Sequence, residues 1–255
     1  MTGPNNLRRV AIIPARHASR RLPGKPLLEI SGKPMIQHVY ERTTRASLVD
    51  EVLVATDDER IATAVRSFGG HAVMTPKGLR SGTDRIALVA QTLDDADIIV
   101  NVQGDEPLIV PSMIDEAVRP LMENSAIVAG TLVREIETQD ELTNPNIPKV
   151  VLDKDGFCLY FSRSVIPFGR DSAQGDWLKR SVYFKHIGLY VFRREFLLRF
   201  AEMSQTPLEL MEKLEQLRIL EHGYRIKATV TSYDSTPVDT EADLEKVRAI
   251  AHNEQ

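Results

Sequence analysis

Short apolar, β-branched runs recur through the first hundred residues, at Val10 to Ile13, Glu51 to Ala55, His71 to Met74 and Asp97 to Val102. Each gap between them holds apolar positions at helical spacing. The first gap carries Met35, Ile36, Val39 and Tyr40 behind Pro34, which suits the first position of a helix. The second offers Ile61, Ala64, Val65 and Phe68 before Gly69-Gly70, and the third Ile86, Val89, Ala90 and Leu93 after Ser81-Gly82-Thr83. These stripes read as core faces, and strand alternating with helix predicts a parallel sheet covered by helices.

The pattern changes in the second half. Ala126 to Val133, Lys149 to Leu152 and Phe157 to Ser162 read as strands, and Asp153-Lys154-Asp155-Gly156 joins the last two as a hairpin. A loop from Pro167 to Arg180 holds the only tryptophan, Trp177, and precedes a further apolar run at His186 to Phe192. Pro207 predicts the start of a long helix with Leu208, Met211, Leu214 and Leu217 turned inward, ended by Gly223. A final amphipathic helix follows from about Glu241, where Thr240 and Asp243 form a capping pair. With no repeats and no clear linker, the expectation is one α/β domain over residues 1–255. It comprises a mixed sheet flanked by helices, an antiparallel insertion over 149–190 and a loose tail over 1–9.

Composition narrows the functional classes. The chain has 255 residues, 42% of them hydrophobic, enough for a full core. Its 32 basic and 36 acidic side chains give a net charge of -4, which argues against a nucleic-acid binder or a polybasic membrane-surface protein. The single cysteine, Cys158, excludes an intramolecular disulfide and fits a reducing compartment. Residues 1–9 lack a secretory apolar core and no apolar window reaches transmembrane length, so a cytoplasmic protein is expected.

Against this acidic background Arg16, Arg20, Arg21 and Lys25 cluster where the first strand ends, the position at which parallel α/β sheets bind ligands. From charge alone two readings stand, a solvated basic loop or a cradle for a polyphosphate. Neither common phosphate motif is present, because Lys25 is followed by proline and no G-x-G-x-x-G follows the first strand. A second strand end, "VNVQGDEPLI", presents Asp105 and Glu106 after Gly104, and Asp239 stands in "TPVDTEADL". Such acids are turn formers or caps in the plain reading, and with a triphosphate they would complete a magnesium shell.

The segments "IIPARHASRRLPGKPL", "VATDDERI", "SGTDRIA", "VNVQGDEPLI", "FSRSVIPF", "HIGLY", "LEQLR" and "VDTEADLEKVR" resemble the 3-deoxy-manno-octulosonate cytidylyltransferase family over nearly the whole chain. The resemblance implies a nucleotide-sugar-transferase fold and transfer of CMP from CTP to the acidic sugar Kdo in lipopolysaccharide synthesis. It further implies Mg²⁺ as cofactor and a homodimer joined through 149–190. By similarity, Arg16, Arg21 and Lys25 hold the phosphates, Ala15 belongs to the nucleotide site beside them, and Ala55, Thr56, Asp57, Ser81 and Gly82 form the cytidine pocket. Asp105 and Asp239 bind the metal, and with Arg16 and Lys25 they make the catalytic set. Gln103, Arg163, His186, Tyr190, Glu215 and Gln216 are assigned to the sugar, with Arg163 expected to grip its carboxylate. One departure is Leu79, where the family commonly has histidine, next to an unusual Arg80. The same reaction on the 8-amino analogue of Kdo and a catalytically silent nucleotide-binding regulator remain the alternatives.

Overall fold

The structure, a computed structural model, describes residues 7–18 and 21–253. Residues 1–6 of the expected tail and Arg20 of the basic cluster lie outside the described residues. The chain opens with β1 (Arg9–Ala15), a 3-10 turn at Lys25–Leu27 and a small hairpin of β2 (Glu29–Ile30) and β3 (Lys33–Pro34). The alternating half continues with α1 (Met35–Thr43), β4 (Glu51–Thr56), α2 (Glu59–Ser67), β5 (His71–Met74), α3 (Gly82–Ala90), β6 (Ile98–Asn101) and α4 (Pro111–Glu123). Then come β7 (Ala129–Glu135), α5 (Gln139–Thr143), β8 (Lys149–Leu152), β9 (Cys158–Ser162), α6 (Trp177–Arg180) and β10 (Phe184–Arg193). The chain closes with α7 (Arg194–Glu202), α8 (Pro207–Glu212), α9 (Leu217–Glu221), β11 (Lys227–Val230) and α10 (Glu241–Asn253).

The sheet order is β11-β7-β10-β6-β1-β4-β5, with β8 against β10 and β9 outside β8. β1 is parallel to β4 and β6, and β10 runs antiparallel between β6 and β7. The antiparallel region is therefore woven into the same sheet as the parallel half. Both faces are covered, as the strand alternation requires: Val10 and Ile12 pack with Ile86, Phe192 and Phe196, while Ala11, Ile13 and Ala15 pack with Ile36, Val39 and Ile61. From β1 the chain moves outward to β4 and β5, then returns to place β6 on the other side of β1. The loops following β1 and β6 consequently part at the carboxyl ends of their strands and leave a crevice there.

Three expectations need correction. The tail is ordered earlier than predicted: the Arg8 amide donates to Asp97 Oδ2 at 2.8 Å and its guanidinium pairs with Glu51 and Asp95, while Arg9 forks onto Asp50. Pro34 caps α1 with an extended backbone instead of opening it, because it also closes the β2–β3 hairpin. The long helix after Pro207 is interrupted at Lys213, whose φ of 55° is left-handed, and Leu208 and Met211 face outward at 40% and 82% exposure. Tertiary bonds override the helical pattern here. Arg218 on α9 forks onto Glu209 on α8, at 2.8 and 2.5 Å, and stands over the Phe200 ring.

Both members of that pair are nearly fully buried. Removing one leaves the other charge without a partner in a low-dielectric interior, and Glu209→Ala is expected to lower stability by roughly 3–5 kcal/mol. Chemical denaturation checks this: the midpoint falls while the slope is unchanged, whereas an unaltered midpoint would mean the pair holds nothing together.

Candidate active site

The segment after β1 folds back on itself before reaching α1. Gly24 adopts φ 70°, a left-handed conformation that favours glycine, and its amide donates to the His17 carbonyl at 3.0 Å. The following 3-10 turn returns Lys25 to the end of the sheet. There Lys25 Nζ donates to Asp105 Oδ2 at 2.7 Å, to Asp239 Oδ1 at 3.1 Å and to the Val238 carbonyl at 2.8 Å. Arg21 reaches the other oxygen of Asp239 at 2.9 Å. Two acids far apart in the chain therefore share one ammonium. Asp105 is brought there by Gly104, where a Cβ would lie 2.7 Å from the Pro14 carbonyl oxygen, so only glycine lets the post-β6 turn lie against β1. Asp239 arrives on the strap between β11 and α10, pinned by the Val238 amide donating to the Asp105 carbonyl at 2.9 Å.

These residues border a cleft of about 750 Å³ whose wall includes Ala15, Arg16, Arg21, Lys25, Ser81 and Gly82. Ser81 caps α3 by accepting from the Asp84 amide at 3.1 Å, so the positive end of that helix opens on the cleft. Leu79 and Arg80 also lie on the wall; Arg80 pairs with Asp84 at 2.9 Å and donates to the Ala201 carbonyl at 3.2 Å. Among the described residues no group of three or more His, Cys, Asp or Glu side chains is arranged to hold a metal. Asp105 and Asp239 supply two hard carboxylates only, a donor set that fits a magnesium ion drawing its remaining ligands from water and substrate phosphates.

A second cavity of about 520 Å³ adjoins the first, and Gly82, Gln103 and Asp105 belong to both walls. It also collects His186, Tyr190, Glu215 and Gln216 from β10 and the turn before α9. A bulge in β10 leaves Gly188 and Leu189 unpaired with β7, and Thr131 Oγ1 bridges the gap by donating to the Leu189 carbonyl at 2.8 Å. The same oxygen lies 3.0 Å from His186 Nε2, which fits Nε2–H as donor and leaves Nδ1 to accept. Burial alone pushes the His186 pKa down to about 3, so the ring is neutral near pH 7. Burial, reinforced by Glu215, raises that of Tyr190 and keeps its hydroxyl a donor. Gln216 Nε2 is buried with no partner among the described residues, an orphan donor on the wall of a polar cavity.

The chain matches the cytidylyltransferase family over residues 10–226. It belongs to that family. A 3-deoxy-manno-octulosonate cytidylyltransferase of Geotalea uraniireducens is 59% identical over 242 residues, covering 93% of this chain and 96% of the relative. One of the same name from Geotalea daltonii is also 59% identical, covering 93% and 95%. A solved CMP:2-keto-3-deoxy-manno-octonic acid synthetase, complexed with CTP, superposes with a TM-score of 0.91 at 43% identity, covering 97% of this chain and all 100% of that one.

Four residues singled out in this family member do not line either cavity. Ala55 and Thr56 are fully buried within β4, and Asp57 is turned onto Arg85 Nη2 at 2.8 Å. Arg85, which also bonds Thr75, is the side chain that reaches the cleft wall, so Asp57 acts on the site through it. Arg163 does not present its guanidinium to the second cavity. It donates to the carbonyls of Glu212 at 2.7 Å, Pro145 at 3.0 Å and Lys213 at 3.4 Å, two of them freed where α8 ends without continuing its helical bonds. Arg85 stands in the quoted "SGTDRIA" motif without an assigned role, and Lys213 sits inside the expected helix. Thr83, whose hydroxyl donates to Glu215 Oε2 at 2.5 Å, was likewise unassigned.

The neutral His186 has a stability consequence. Its folded pKa is depressed below the unfolded value, so its contribution is present above pH 6.5 and is lost as pH falls toward 3. Between pH 6.5 and 4 the protein is expected to lose roughly 3 kcal/mol more than a His186→Gln variant. Parallel pH profiles of unfolding free energy for the two proteins would contradict the uncharged, half-buried ring.

Proposed function

We propose that the protein transfers CMP from CTP to the anomeric hydroxyl of 3-deoxy-D-manno-octulosonate (Kdo), giving CMP-Kdo, an activated sugar for lipopolysaccharide synthesis, and pyrophosphate. The observation that carries this reading is the junction of two cavities at Gln103 and Asp105. One is rimmed by Arg16, Arg21 and Lys25, the other lined by hydrogen-bonding groups. Close relatives bearing the name of this reaction, and a like fold complexed with CTP, support it.

The anomeric C2 oxygen attacks the α-phosphorus, and the bond to the bridging oxygen of pyrophosphate breaks. Little covalent work falls to the protein, so the rate comes from alignment and from offsetting charge. Arg16, Arg21 and Lys25 hold the phosphates, with Arg16 and Lys25 nearest the developing charge. Ala15 contributes main chain, while Ser81 and Gly82 at the head of α3, with Arg85 set by Asp57, border the nucleotide; Ala55 and Thr56 support that wall from behind. Gln103, His186, Tyr190, Glu215 and Gln216 orient the sugar through hydrogen bonds, the orphan amide of Gln216 receiving a partner when the sugar binds. Magnesium, held by Asp105 and Asp239, supplies Lewis-acid neutralisation of the triphosphate when bound.

A homodimer is part of this reading. The support is an edge strand, β9, with Leu159 at 61% exposure, and nearby in sequence Phe168 at 75% and Val182 at 50%. A cytoplasmic location follows from CTP as substrate and fits a lone, buried thiol; among the described residues no helix is long and apolar enough to cross a membrane.

Pyrophosphate release from CTP plus Kdo, in parallel with CTP plus the 8-amino analogue, tests the assignment: turnover is expected with Kdo, preference for the analogue would move the substrate, and silence with both would contradict the enzyme. Asp105→Ala is expected to lower kcat at least about a hundredfold, through lost charge neutralisation, with the thermal midpoint retained. Wild-type rates at saturating magnesium would refute the metal role.

A further inference from the structure

The second cavity has to receive an acid, yet the fixed charge on its wall is mostly negative, from Asp105, Asp234 and Glu215. An acidic ligand in such surroundings needs a cation within reach. The sequence nominated Arg163, but its guanidinium is committed to three carbonyls and does not line the cavity. Two lysines do. Lys185 is buried and already paired, with Glu141 and with Asp234 Oδ1 at 2.8 Å. Lys213 is different: its ammonium has no hydrogen bond or ion pair among the described residues.

The backbone at Lys213 is the second observation. Its φ of 55° and ψ of 44° lie in the left-handed region, which a glycine occupies without strain and a lysine does not. Strained backbone of this kind persists where the surroundings over-determine it, and it concentrates at ligand sites. The surroundings here are specific. Arg163 grips the carbonyls of Glu212 and Lys213, one on each side of the Lys213 Cα. The Glu212 carboxylate in turn accepts from Ser162 Oγ at 2.6 Å and from the Arg163 amide at 2.9 Å. The third carbonyl, Pro145, belongs to the segment whose Asn146, Ile147 and Pro148 form the facing wall. One arginine thus ties two walls of the cavity together and fixes the residue that carries the free cation.

We infer that Lys213 is the cation that receives the carboxylate of the acidic sugar, and that Arg163 positions it without touching the ligand. This rests on the function proposed above. Most of the recognition elements in the cavity are neutral donors and acceptors, so Lys213 supplies the charge discrimination and the others the stereochemistry.

Steady-state kinetics with CTP and Kdo on the full-length protein test it. Lys213→Met and Lys213→Gly are each expected to raise the KM for Kdo about tenfold or more, with kcat and the KM for CTP unchanged. Lys213→Arg keeps the KM within a few-fold of wild type. The glycine variant relieves the left-handed strain, so it folds at least as stably as the parent and a misfolded sample cannot produce the effect. Added salt raises the KM for Kdo in the wild type and not in Lys213→Met. Arg163→Lys is expected to raise the same KM, and to add nothing further in the Lys213→Met background. Wild-type turnover with an unchanged KM for Kdo in both the methionine and glycine variants overturns the anchor alone. Additive effects of the Arg163 and Lys213 substitutions overturn the positioning role. Absence of wild-type turnover with Kdo overturns the functional reading, and the anchor with it.

Discussion

A single ammonium group joins parts of the chain that lie 80 and 214 residues apart: Lys25 Nζ bonds both Asp105 and Asp239, and a carbonyl beside the latter. Two carboxylates this close repel one another unless a cation stands with them. That requirement organises the surrounding structure. The loop after β1 must fold back through Gly24, the turn after β6 must lie against Pro14 through Gly104, and the strap before α10 must cross the sheet end. Each of these is a local backbone feature, and their common consequence is an electrostatic knot at the point where the sheet topology opens a crevice.

The two adjoining cavities divide the chemistry. The first is cationic on its rim and backed by a helix N-terminus, an environment for phosphate. The second holds a neutral histidine, a protonated tyrosine and an amide with no partner among the described residues, an environment for hydroxyl groups. Gln103 and Asp105 stand in both, so a sugar hydroxyl and a phosphorus can meet there. The strap carrying Asp239 is also fixed beside the second cavity, by Lys185 and Arg134 on Asp234 and by Ser235 Oγ donating to Glu106 at 2.5 Å. Asp239 and part of the second cavity's wall are therefore carried on one piece of chain.

How much of this was legible in the sequence follows from which forces set each feature. The parallel strands were readable because both faces of β1, β4 and β6 are buried, which writes continuous apolar runs into the chain. The Asp153–Gly156 turn was readable because its bonds are local, with Asp153 Oδ1 accepting from the amides of Asp155 and Phe157. The break at Lys213 was not. Leucines at helical spacing continue across it, and the decision to turn is made by Arg163 and by the buried Glu209–Arg218 pair, neither of them a neighbour in sequence. The same holds for the site. Motif resemblance nominated Asp105, Asp239, Lys25 and His186, which the fold does bring to the two cavities, while the direction in which Arg163 and Asp57 point depends on carbonyls and on an arginine supplied by other elements.

The central claim is that the cations of the β1 loop and the Asp105–Asp239 pair meet on one nucleotide. A crystal structure of the protein with CTP and magnesium tests it most directly. The account predicts the triphosphate in the cleft against Arg16, Arg21 and Lys25, with a cation bridging its oxygens to both Asp105 and Asp239. A triphosphate bound outside that cleft, or a cation that ignores both acids, would contradict it.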